Sequence, residues 1–191
     1  MTSSVASRGV GDRHGALLEA NLAWLQQALQ LLGRIDAGLY TQSPRGLEPH
    51  RVGSHLRHII EFYECFLDGV GRCRVDYDSR ARDASIERSP VAAAARIRLL
   101  IERMKAPELL EDTILWVPME DARGLSVEDP FLLSSTGREL QVLSSHTIHH
   151  FALIAMTLRA HGVPVDPDFG VAPSTLRHQA ALGTAAGTEA A

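Results

Sequence analysis

The chain has 191 residues, 45% hydrophobic and 22% charged, and its 23 acidic and 19 basic side chains give a formal charge of −4. That length suits one domain able to bury its own core without covalent staples. No Lys/Arg run exceeds two residues, which excludes an electrostatic footprint for nucleic acid. The apolar stretch beside the later histidines, Phe151 to Met156, falls far short of the ~20 residues of a membrane span.

The first dozen residues, MTSSVASRGVGD, lack the apolar stretch of a secretory leader, and residues 1–13 are expected to form a flexible tail. From His14 to Tyr40 the residues Leu18, Leu22, Leu25, Leu29 and Leu32 recur at helical steps, with Asp12 as the expected N-cap. A second helix is predicted over Val52 to Val70, with Leu56, Ile59, Ile60, Tyr63, Phe66 and Leu67 on one broad face. Asp76 to Glu87 is polar and reads as a surface connection. Ser89 followed by Pro90 predicts a capped third helix ending near Met104.

Pro107 to Ser135 is too long for a structureless loop. Thr113 to Met119 has β character and Asp121 to Gly124 looks like a turn, so a short hairpin is expected there. Trp116 is expected to pack over the helices. The fourth helix is predicted over Thr136 to His161, stopped by Gly162 and Pro164. The segment after Gly162 reads as too proline-rich for a long helix, and residues 179–191 as a disordered tail. Four amphipathic helices without strand-helix alternation predict an all-α four-helix bundle, one domain over residues 14–178. Cys65 and Cys73, ~12 Å apart along a helix, cannot form a disulfide, which makes a cytoplasmic location the default.

Five of the nine histidines fall in two helical clusters, His55 with His58 and His146 with His149 and His150. Residues four apart share a helix face, so two imidazoles there can reach one ion, and a third from an antiparallel neighbour completes a set of three. On a helical wheel His150 lies ~60° and His146 ~100° from the apolar centre of helix four, whereas His149 lies ~160° away. Phase thus selects His146 and His150 and turns His149 to solvent or a hydrogen-bonding partner. In helix two phase favours His55, at ~70°, over His58, at ~130°. Ordinary flank histidines bonded to carboxylates are the alternative.

The motifs SHLRHIIEFYE (residues 54–64) and SSHTIHHFALI (residues 144–154) resemble those of the DinB-like superfamily of metalloenzymes, over about His14 to His161. The resemblance implies four bundled helices holding one divalent ion, zinc or nickel, through His58, His146 and His150, with His55 as a substitute or a neighbour of the ligands. It implies a small-molecule partner, in some relatives a low-molecular-weight thiol such as bacillithiol or mycothiol, and S-transfer or hydrolysis as the reaction. Many members carry a basic-glycine step after the last histidine. Here the chain reads His150-Phe151-Ala152-Leu153. A reading from another class is a non-catalytic module that binds metal or forms a homodimer. Glu61, one turn past His58, is expected as a solvated carboxylate, with general base as its functional alternative. Ser144 and Ser145 lack a nucleophile's context, and Arg177 and His178 are candidates to reach the mouth of the bundle.

Overall fold

Short local signals set most of the helix boundaries, and the spacing of apolar residues sets which faces are covered. The computed structural model describes residues 5–118 and 131–188, with seven α-helices, two 3-10 turns and one antiparallel pair of strands.

Helix α1 (Val5–Leu32) starts well before His14, so Asp12 lies inside it and residues 5–13 continue the helix instead of forming a loose tail. It also ends early. Asp36 Oδ1 accepts from Leu39 N at 2.8 Å and opens a separate short helix, α2 (Ala37–Thr41), so the run to Tyr40 is two elements. Helix α3 (Val52–Val70) matches its predicted span.

The polar stretch after α3 is not a simple surface connection. It forms a 3-10 turn, Tyr77–Ser79, and helix α4 (Ala84–Arg88), anchored by the buried side chains of Tyr77 and Ile86. A buried side chain of that size stabilises by about 1.5–3 kcal/mol, enough to dock a short polar segment. Helix α5 (Pro90–Arg103) begins as predicted, with Ser89 Oγ accepting from Ala92 N at 3.2 Å.

Strand β1 (Ile114–Pro118) pairs antiparallel with β2 (Phe131–Ser135), Trp116 facing Leu133 across the ladder. The expected turn at Asp121–Gly124, with Met119, lies outside the described residues. Trp116 is 44% exposed, contrary to the packing expected for it. The other edge of β1 is held by backbone bonds to Cys73 and Val75, which fix the strand without burying the indole.

Ser135 caps helix α6 (Thr136–Ala160), accepting from Arg138 N. Gly162 ends α6 with a φ of 75°, its N–H on Arg159 O and the Val163 N–H on Leu158 O. That double bond is a Schellman stop, and the left-handed backbone it needs favours glycine. The C-terminal segment departs from expectation. Its prolines precede or begin helix α7 (Pro173–Thr188), Pro173 taking the first-turn place where proline is tolerated, and the alanine-rich remainder continues helical through residues 179–188.

Helices α3 and α1 each pack against both α5 and α6. The core between them includes Leu25, Leu56, Ile60, Tyr63, Ile97, Leu143 and Phe151. Within it Asn21 donates to Leu140 O at 3.0 Å and accepts from Tyr63 OH at 2.7 Å, which satisfies a fully buried amide. Among the described residues no helix is long and apolar enough to cross a membrane. Cys65 and Cys73 are both free thiols.

Candidate metal centre

Helices α3 and α6 bring the two histidine clusters together. One ring nitrogen each of His58, His146 and His150 lies within 4.8 Å of the other two. The ring centroids are 4.8 Å apart for His58 and His146, 4.7 Å for His58 and His150, and 4.5 Å for His146 and His150. Nitrogens on a tetrahedral ion with ~2.05 Å bonds stand about 3.3 Å apart, a contraction that small side-chain rotations supply.

His55 lies outside the group of three. It is more buried than His58, as phase predicts, yet its Nδ1 meets His150 Nδ1 at 3.1 Å and its Nε2 meets His50 Nδ1 at 3.3 Å. Only one nitrogen of each such pair donates, so the tautomers of His150, His55 and His50 are coupled. That is the usual service of a residue behind a metal ligand. His149 is exposed, as the wheel places it, and its ring meets His150 edge-on.

Burial holds all four rings neutral. Desolvation, first, and neighbouring positive charge, second, push His55, His58 and His146 down to about 4 and His150 to about 2. Phe62 supplies much of the apolar cover, stacking on His146 with ring centroids 3.9 Å apart. His146 Nδ1 is buried and has no hydrogen-bond partner. Such an orphan costs about 1–3 kcal/mol unless something occupies it, and a cluster of neutral imidazoles suits a cation.

These rings make the metal-free fold acid-sensitive. A histidine near 6.5 when unfolded and near 4 when folded takes up its proton first in the unfolded chain. Stability is therefore full above about pH 6.5 and lost as pH falls toward 4. Calorimetric melts of metal-free protein should show Tm falling across that window, and a His58→Asn/His146→Asn variant should lose less over the same interval.

Several other candidates have different roles. Glu61 is buried, and its Oε1 accepts from Asp83 N at 2.7 Å, so it braces the start of α4 and is neither solvated nor poised as a base. Ser144 Oγ accepts from Trp24 Nε1 at 2.9 Å. Arg177 and His178 are exposed on α7 and reach no part of the cluster. The residue that sequence reasoning missed is Arg80, whose Nη1 lies 2.9 Å from His58 Nδ1. No local signal marked it, because it arrives from a segment that reads as polar connection.

A cavity of about 440 Å³ opens onto His55, His58 and His150 and is bordered by His50, Arg51, Arg57 and Glu87. A larger one, about 720 Å³, lies between α3 and α5. There Arg96 pairs with Glu64 at 2.7 Å and Arg103 with Asp68 at 2.6 Å, so these two pairs cancel in place. Burial raises the Cys65 thiol in its wall, which opposes a nucleophilic role.

Among known proteins, no family model matches the chain, and no solved structure matches it. A stretch of 107 residues is 36% identical to FK506-binding protein 5 of Rhizopus delemar, covering 54% of this chain and 27% of that protein. The chain thus spans about a quarter of the relative it matches.

Proposed function

We propose that this chain is a cytoplasmic, DinB-like four-helix-bundle metalloprotein in which His58, His146 and His150 hold one divalent ion, zinc or nickel. Its reaction is transfer of a low-molecular-weight thiol to a small electrophile, or hydrolysis of a small molecule. The observation that carries this reading is the convergence of three neutral imidazoles from two helices beside an open cavity. The mutual packing of α1, α3, α5 and α6 supports the bundle, and the two free thiols support a reducing compartment.

An ion held by three neutral ligands keeps its charge and an open position, and so supplies Lewis acidity toward a thiol or a water. The chain's own residues do the rest. Desolvation by Phe62 and the helix walls keeps the imidazoles unprotonated at neutral pH. His55 orients His150 through the ring-nitrogen contact. Arg51 and Arg57 both pair with Glu87 at 3.4 Å, leaving one net positive charge at the cavity mouth, which favours a negatively charged reactant. A volume of 440 Å³ admits a small molecule.

The test is a screen of zinc- and nickel-loaded protein with glutathione, bacillithiol and mycothiol against common electrophiles, and with simple esters. The expected result is at least one substrate consumed faster than by the metal-free chain. No acceleration with any of them contradicts the catalytic part of the proposal.

A further inference from the structure

Arg80 holds a position that three ligating histidines leave unexplained. Its Nη1 donates to His58 Nδ1 at 2.9 Å and lies 3.4 Å from His58 Nε2. Its guanidinium carbon stands 5.0 Å from the centre of the Phe62 ring, the ring that also covers His146. Glu87 pairs with Arg51 and Arg57, Glu61 accepts from the Asp83 backbone, and Glu64 pairs with Arg96. Among the described residues Arg80 has no carboxylate within ion-pair distance, and its Nε is buried without a partner. A half-buried guanidinium without a counter-charge is unfavourable, and an orphaned N–H in the same group adds to the cost. Arg57, next to His58, contributes a second buried Nε without a partner.

Guanidinium chemistry makes the contact with His58 conditional. The group has five donors and no acceptor, so it suits His58 only while a ring nitrogen offers it a lone pair. If His58 gives that lone pair to a cation through either nitrogen, the other nitrogen carries a hydrogen and Arg80 loses its acceptor. The replacement has to be negative and small enough to sit beside three imidazoles. Two parallel N–H groups match the two oxygens of a carboxylate.

We propose that Arg80 is the substrate-recognition residue of this site, taking the carboxylate of a small-molecule reactant held beside His58. The inference rests on the metal reading of the three histidines and narrows the reactant to a carboxylate-bearing compound.

Cobalt-loaded, untagged protein tests it. Visible absorption is followed while acetate, and separately neutral imidazole, is added to wild type, Arg80→Gln and Arg80→Lys. All three proteins should take up cobalt, Arg80→Gln at least as tightly as wild type, because a positive charge has left the cation's surroundings. Acetate should bind wild type about tenfold more tightly than Arg80→Gln, with Arg80→Lys between them, while imidazole varies by no more than about twofold. Equal acetate affinity in wild type and Arg80→Gln overturns the inference while leaving the metal reading intact. An equal loss of acetate and imidazole binding also overturns it, since the substitution then only distorts the site. Failure of wild type to take up cobalt overturns the metal reading and the inference together.

Discussion

His150→Ala should abolish the response of the protein to zinc or nickel. Added metal at a hundred times its Kd stabilises a protein that binds it only when folded by about 2.7 kcal/mol, or ~5–10 °C in Tm for a chain of this size. Wild type should show that rise and His150→Ala none, with His58→Ala and His146→Ala alike. His55→Ala should behave differently. Removing a hydrogen-bonding neighbour of a ligand weakens metal binding by ~10–100-fold, so its rise should return at higher metal concentration. The comparison separates His58 from His55, the two histidines between which helical phase and the motif resemblance disagree. Without metal, wild type and His150→Ala should melt within a few degrees of each other at neutral pH, because no metal-binding energy is then at stake. A large drop for the metal-free variant would assign the cluster a structural role.

The second large effect is steric. Gly53 lies in the first turn of α3, where an added Cβ would stand 2.2 Å from Glu87 O and 2.8 Å from Tyr40 Cε1. Neither neighbour can yield easily. Glu87 O is backbone of α4, and Tyr40 is fully buried with its hydroxyl donating to Ile86 O at 2.7 Å. Gly53→Ala should therefore cost about 2–3 kcal/mol and lower Tm by ~4–12 °C. It should also disturb Glu87, on which Arg51 and Arg57 both depend. Gly15 in α1 is the control, since nothing lies within 4 Å of its added Cβ. Gly15→Ala should stabilise by about 0.5–1 kcal/mol through helix propensity alone. Scanning calorimetry reads both signs.

What was legible in the sequence was what is written locally. Ser89-Pro90 and Gly162 mark helix ends through bonds to residues three or four positions away, so α5 and α6 begin and end close to their expected places. The turn Tyr77–Ser79 and α4 were hidden, because Tyr77 and Ile86 stand alone in polar surroundings and periodicity needs several apolar residues to register. The start of α1 and all of α7 were hidden for a related reason. Their small and polar residues give no apolar stripe, and backbone propensity carries them.

At the candidate centre, the spacing of His146 and His150 was readable because four residues return a helix to the same face. The choice between His55 and His58 was not. A wheel ranks residues by depth, and the deeper His55 does lie against α6, but depth does not say which rings meet: His55 meets His150 and His50, whereas His58 lies against both His146 and His150. Arg80 comes from another element 22 residues beyond His58, and no pattern within a helix announces such a partner.

Metal content and zinc-edge X-ray absorption of untagged wild-type protein, after loading and removal of excess ion, test the central claim most directly. One zinc per chain with three imidazole nitrogens at about 2.0–2.1 Å is the predicted result. Less than about a tenth of an ion per chain, or a first shell without three imidazoles, would contradict it.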